Sequence, residues 1–447
     1  MAARSANYTV IEMAFSNSAR ELAFLSLLKC EGAQKFSNLE VDSTIRKHGL
    51  TGAERALYTN LVYGTIERKI TLDYLIEKFS TVPFDDIQPK VLWILRLGAY
   101  QLLYLDRIPA RAVCNESVEL CKLYCNRGAT GYVNAVLREL ARRLDELPLP
   151  DREKEPYKYL SVVHSCPEWL CYMWDSMYGS EKAQGMLEAM NIHPYLTLRV
   201  NNLRVSRDEL YEEIMKEGIS CTPTRLSPHG IKLNQFVPIA ELRWLSEGLC
   251  YVQDEASQLC VAELGPRPGE LVIDTCACPG GKTFGCALTM ENRGRVMAFD
   301  LHENKLSLVR RGAKTMGLTI IETMAHNGYS PHPDFIGKAD RVLCDVPCSG
   351  LGVIAKKPDL RFKKPEDIAR LPELQLRLLV ASAEYVKVGG TLLYSTCTLS
   401  KAENEGVAQR FIETVRGFEF DGFGMRTLFP QQYGTDGFFM AKFRRVE

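Results

Sequence analysis

Two cysteines stand where a thiol can react. Cys348 lies in Asp345-Val-Pro-Cys-Ser-Gly350 and Cys397 in Leu393-Tyr-Ser-Thr-Cys-Thr398, each just past a strand-like stretch and before a turn or helix start. Two thiols so placed suggest covalent chemistry on a ring, because a thiolate adds to an electron-poor ring carbon. Ser400-Lys-Ala-Glu403 has the form of a capping box, which would start a helix just after Cys397. Exposed amides at that helix start would favour the thiolate. Asp345 is placed at the same edge to hydrogen-bond a ring's polar edge and stabilise charge developing in an adduct. The same aspartate also fits a plain strand-end role, bonding to turn amides.

A second segment points to a cofactor. Leu271-Val-Ile-Asp-Thr-Cys-Ala-Cys-Pro-Gly-Gly-Lys-Thr283 reads as strand, glycine loop and helix start, the arrangement by which a doubly wound sheet holds a nucleotide-like ligand. A phosphate-binding loop needs a glycine five positions before Gly281, where this chain has Cys276. The dinucleotide fingerprint fails too, since Gly280, Gly281 and Gly285 do not fall on its spacing. What remains is a Pro279-Gly280-Gly281 turn that lets a ligand approach the backbone. Asp300 ends the next strand 300 − 281 = 19 residues on, where a carboxylate accepts from ribose hydroxyls. That pairing fits S-adenosylmethionine as well as a nicotinamide.

These residues need a parallel sheet to carry them. From about Tyr251 strands and helices alternate, with Leu271 to Asp274, Arg295 to Asp300, Arg341 to Asp345 and Thr391 to Thr396 as buried parallel-type strands. From Ser18 to about Arg143 the chain reads as wholly helical. Ser18-Ala-Arg-Glu21 and Thr51-Gly-Ala-Glu54 have capping-box form, and a nearly all-apolar stretch from Val91 to Leu103 predicts a central helix. Leu147-Pro-Leu-Pro150 and the charged run after it read as a linker. Tyr195 to Val200 is strand-like, Ser206-Arg-Asp-Glu209 caps a helix, and Ser227-Pro-His-Gly230 is a turn between extended segments. The expected organisation is multidomain, α plus α/β: residues 1–147 an all-α bundle, 148–250 a small α+β module and 251–447 a Rossmann-like catalytic domain.

Composition narrows the partners. With 447 residues, 46% hydrophobic and 25% charged, the chain exceeds one core and should form a globular protein. The 55 basic and 55 acidic side chains cancel, so a polyanion must be drawn by a local patch. Lys356-Lys-Pro-Asp-Leu-Arg-Phe-Lys-Lys364, after the Cys348 turn, is the candidate for such a patch. No charged, apolar leader precedes Met13 and no apolar run is long enough for a bilayer, so a reducing cytoplasm is expected and the 15 cysteines are expected as free thiols. No Cys-x-x-Cys pair occurs, so no metal is expected. A monomer is expected.

Cys276-Ala-Cys-Pro-Gly-Gly-Lys282, Asp345-Val-Pro-Cys348, Ser395-Thr-Cys-Thr398 and Asp436-Gly-Phe-Phe439, in that order, resemble the RsmB/Sun branch of the RNA 5-methylcytosine methyltransferases. The helical first domain resembles NusB, an RNA-binding factor. The resemblance implies S-adenosylmethionine as cofactor, held by Cys276, Ala277, Cys278, Pro279, Gly280, Gly281 and Lys282 together with Asp300 and Asp345. It implies Cys397 as nucleophile, Cys348 as the group assisting product release, and Asp345 as a contact to the base. Where the family has an aspartate after the third strand, this chain has Asn327, which can meet an adenine edge but adds no charge. The implied partner is RNA, small-subunit (16S) ribosomal RNA in this branch. The alternatives are a tRNA or DNA cytosine-5 methyltransferase and a non-catalytic RNA-binding assembly factor. A DNA enzyme needs only the Pro-Cys thiol, and retention of both thiols, Asp345 and the glycine loop argues against an inert protein.

Overall fold

A computed structural model describes residues 18–32 and 37–447; the stretch before Met13, read above for a leader, lies outside them. Among the described residues no helix is long and apolar enough to cross a membrane. The chain divides into two compact units. One runs through Ala183 and takes in Lys357–Phe362, and the other holds Gln184–Lys356 and Lys363–Glu447.

The first unit is helical. Its centre is Pro89–Tyr104, opened by a proline at the first turn and buried from Trp93 to Gln101. Arg96 sits inside that run because Asp73 accepts from it at 2.5 and 2.9 Å. Ser18 caps its helix through the Glu21 amide at 3.2 Å, whereas Thr51 makes no side-chain cap, contrary to its pattern. The helices after the expected linker, Pro156–His164 and Glu168–Tyr178, belong to this unit. The Thr71 hydroxyl donates to Val162 O at 2.5 Å and the Ile70 amide to the Ser165 hydroxyl at 3.1 Å.

The second unit contains two sheets. In the small one, β1 (Thr197–Val200), β2 (Cys221–Pro223), β3 (Gly230–Leu233) and β4 (Cys250–Val252) pair antiparallel in the order β2-β3-β1-β4. Helix Arg207–Lys216, with the predicted Ser206/Glu209 capping box formed, buries Leu210 and Ile214 in the core of this layer with Trp244.

The large sheet has β5 (Leu271–Asp274), β6 (Arg295–Asp300), β7 (Ile321–Ala325), β8 (Ala339–Asp345), β9 (Val386–Thr396), β10 (Phe418–Leu428) and β11 (Phe438–Arg445), ordered β10-β11-β9-β8-β5-β6-β7. β5 to β9 run parallel, and β10 and β11 are antiparallel. Apolar side chains feed cores on both faces: Val272 and Leu393 lie in one, Ile273, Leu392 and Tyr394 in the other. Chain order reverses beside β5, which has β6 on one side and β8 on the other. Such a switch point opens a crevice at the carboxyl ends of the strands.

Candidate active site

Each predicted site residue follows the carboxyl end of a strand in this crevice: the glycine loop after β5, Asp300 at β6, Asn327 after β7, Asp345 and Cys348 at β8, and Cys397 after β9. The glycine loop must come close to its neighbours. Gly280 has φ +114°, and a Cβ there would sit 2.5 Å from the Phe284 ring. The Ala277 amide donates to Phe299 O at 2.8 Å, tying the loop to β6. Asp300 accepts from the Cys278 amide at 3.4 Å and the His302 amide at 3.0 Å. Burial pushes the Cys276 thiol well up, and burial with the Asp300 carboxylate pushes Cys278 up to about 12. Thiols held in the protonated form are poor nucleophiles, so neither is a candidate for the reacting group.

Lys282, named with the glycine loop as a cofactor contact, donates its Nζ to Asp345 Oδ2 at 2.6 Å and lies 5.1 Å from the Phe438 ring centroid. Burial favours its neutral form, but the Asp345 carboxylate and the other anionic neighbours outweigh that and raise its pKa. The register of β8 against β9 sets Asp345 opposite Ser395, whose hydroxyl donates to Asp345 Oδ1 at 2.7 Å. Both carboxylate oxygens of Asp345 are therefore oriented. Ser395 was missed in the sequence, although the two-residue period of a strand places it on the face of Cys397.

The two sulfurs are 3.3 Å apart. Gly352 donates to Cys397 O at 3.0 Å and accepts from the Gly437 amide at 2.9 Å, so the start of β11 braces both cysteine loops. A Cβ on Gly437 would meet Gly352 Cα at 2.8 Å, which accounts for the glycine in Asp436-Gly-Phe-Phe439. The hydrogen bond from the Cys348 thiol lowers the Cys397 pKa, with help from Lys282, against burial and the Asp345 charge. The same bond, then burial, raises Cys348 well above its usual value. The sequence predicts an accessible thiolate at Cys397 from a helix start, but the structure supplies a different cause, the Cys348 thiol. The next helix begins only at Glu405, and no side chain caps it.

Ser400 and Glu403 do not form the predicted capping box. Glu403 turns to the Cys348 loop and accepts from the Ser349 amide at 2.8 Å and its hydroxyl at 2.5 Å. Asn404 holds the Cys397 loop, accepting from the Thr396 hydroxyl at 2.5 Å and donating to Thr398 O at 3.0 Å. In the Lys356–Lys364 run three of the five cations are engaged by internal bonds, while Lys357 and Lys364 are exposed. Lys356 pairs with Asp254 at 2.5 Å and Asp436 at 2.8 Å, and Lys363 donates to Ser349 O at 2.8 Å. Arg361 is fully buried in the first unit, donating to Glu67 O and Ser165 O. Asn327 Oδ1 accepts from its own turn, the Tyr329 amide at 3.2 Å.

Three family models match: NusB over residues 17–142, the ferredoxin-like domain of RsmF/B-like methyltransferases over 166–240, and 16S rRNA methyltransferase RsmB/F over 261–444. A probable ribosomal RNA small subunit methyltransferase B of Bacillus subtilis is 39% identical over 96% of this chain and 99% of its own length. A Synechocystis protein described in the same words is 35% identical over 96% of this chain and all of its own (100%). The crystal structure of PH0851 matches 96% of this chain and 99% of its own, with TM-score 0.79 and 26% identity. A Pyrococcus horikoshii methyltransferase homolog covers 64% of this chain and 97% of itself, with TM-score 0.56 and 28% identity. With its three matched segments in this order and relatives aligned nearly end to end, the chain belongs to the RsmB/F family of 16S rRNA methyltransferases.

Proposed function

We propose that the protein is an S-adenosylmethionine-dependent RNA cytosine-5 methyltransferase acting on small-subunit ribosomal RNA, with Cys397 as its nucleophile. The observation that carries this reading is the pair of sulfurs 3.3 Å apart, beside the Asp345 carboxylate that Lys282 and Ser395 orient. The names of the relatives support the RNA class.

The crevice fits the cofactor. A side chain at Gly280 would collide with Phe284, Gly281 adds none at the helix start, and each Asp300 oxygen keeps a lone pair beyond its amide bond for a ribose hydroxyl. Cys276 to Gly281 would line the ligand with backbone, and Asn327 would meet the adenine edge. When bound, the cofactor supplies an electrophilic methyl group on a sulfonium.

Cytosine C5 is a poor nucleophile until a thiolate adds at C6. Cys397 forms the S–C6 bond and the ring's electron pair moves toward C5. Asp345 hydrogen-bonds the N3 and N4 edge and steadies the charge that develops. Lys282 holds Asp345 in place through its bond to Oδ2. Once C5 carries the methyl group, its C–H pair must become the C5–C6 double bond while the C6–S pair returns to Cys397. Sulfur 397 is by then a neutral thioether, so the thiolate that accepted the Cys348 hydrogen bond is gone. Cys348 can lose that proton to solvent and, as thiolate, take the one from C5. A splayed or single-stranded base is required, since C5 and C6 are shielded in a stack.

Cys397→Ala should abolish methyl transfer and leave no covalent RNA complex. Cys348→Ala should methylate once and stall, giving a cofactor-dependent protein band shifted by RNA on a denaturing gel. The reverse pattern would make Cys348 the nucleophile, and full activity in both variants would end the covalent mechanism.

A further inference from the structure

Behind the two thiols lies a carboxylate that the mechanism above does not use. Glu403 is fully buried, and among the described residues no lysine, arginine or histidine forms an ion pair with it. All its carboxylate hydrogen bonds are accepted: from the Ser349 amide and hydroxyl, and from Gln375 Nε2 at 2.9 Å. Gln375 also donates to Pro347 O at 3.0 Å, so the same cluster grips the loop on both sides of Cys348.

Two sulfurs 3.3 Å apart cannot both ionise cheaply, so one proton is shared and the surrounding charges decide where it stays. The charged and titratable neighbours are unevenly divided. Cys397 is faced by Cys348, Lys282, Asp345 and Asp436, and Cys348 by Cys397, Glu403 and the Tyr394 phenol. At Cys397 the Lys282 cation is set against the Asp345 and Asp436 carboxylates; on the Cys348 side the buried Glu403 anion accepts from the Ser349 amide, and Lys363 bonds the Ser349 carbonyl.

We propose that Glu403 is a positioning residue that assigns the roles of the two thiols: its charge keeps the shared proton on Cys348 and so leaves Cys397 as the thiolate. This deepens the reading of Cys397 as nucleophile and rests on it. The same charge makes the Cys348 sulfur the stronger base, which suits it to removing the C5 proton.

The test needs neither RNA nor cofactor. The full chain is treated briefly with iodoacetamide from pH 6 to 9, and alkylation of Cys397 and Cys348 is quantified separately by peptide mass spectrometry. The native protein should alkylate Cys397 at least about tenfold faster near neutrality, and Glu403→Gln should cut that preference about tenfold, a one-unit displacement of the Cys348 titration. Gln375→Leu removes a neutral donor from the same cluster and keeps the charge, so its preference should persist. An unchanged preference in folded Glu403→Gln would overturn the proposal, as would an equal loss in Gln375→Leu, which would make loop geometry the cause. If Glu403→Gln does not fold, Glu403→Asp must keep the preference, and its loss there is equally fatal. The RNA-adduct experiment on Cys397→Ala stands apart: its failure would remove the nucleophile assignment while leaving the measured bias of the sulfurs intact.

Discussion

Asp274 ends β5 behind the glycine loop, buried, with the Thr283 hydroxyl donating to its Oδ2 at 2.7 Å. Burial first, then the Asp345 charge, raises its pKa to about 7, against the hydrogen bond from Thr283 and the charge of Lys282. In the unfolded chain an aspartate titrates near ~3.9. The folded form thus binds the extra proton. The contribution to stability is fully present below about pH 4 and is lost as pH rises through about 7. In urea unfolding of the cofactor-free protein, the stability of the native chain minus that of Asp274→Asn should fall over this window and level off above it. A flat difference would show that Asp274 titrates normally. Neighbouring residues divide by legibility. Cys348, Cys397 and Asp345 were visible because reactive types sit at strand ends, whereas Glu403 was hidden, since Ser400-x-x-Glu403 has the same spelling as the Ser206-x-x-Glu209 box that does form.

At the scale of elements, strand register does the positioning. The parallel pairing of β8 with β9 aligns Asp345 with Ser395, and a one-residue slip would turn Ser395 to the other face. The end of β6 brings Asp300 beside the Cys278 amide, at the position from which the proposed ribose contact would be made. Asp300→Ala should weaken S-adenosylmethionine binding, measured by calorimetry, by about 1.5 to 3 kcal/mol per charge-assisted bond lost. Unchanged affinity would place the ribose elsewhere. The four strands predicted around the site are all present, because parallel strands covered on both faces are continuous apolar runs. The half-exposed edge strand β7 and the antiparallel pair β10 and β11 carry weaker patterns and were not delimited.

For the whole molecule, zero net charge means that RNA affinity must arise from local cations. The Lys356–Lys364 run is largely consumed by internal bonds, which shifts attention to the NusB-like helices. Arg107, Arg111 and Arg127 are exposed there and form no ion pair among the described residues. Reversing all three to glutamate should raise the Michaelis constant for RNA, flatten its salt dependence and leave S-adenosylmethionine affinity unchanged. An unaltered Michaelis constant would assign RNA docking to another surface. Cutting the chain near residue 145 is a poorer test, since Pro156–His164 would lose the helix Lys69–Phe79 that covers it.

By itself, the sequence determined which chemistry is available. Two thiols at strand ends, a glycine loop on neither nucleotide-triphosphate nor dinucleotide spacing, and an aspartate at the next strand end are local facts that backbone geometry translates directly. Only the tertiary structure decided how those groups are poised. Lys282 could serve a cofactor or Asp345, and Glu403 a helix start or the Cys348 loop, until strands distant in sequence were paired. The pKa of a thiol depends on charges within a few ångströms, and those around Cys348 and Cys397 come from residues 282, 345, 403 and 436, which only folding brings together.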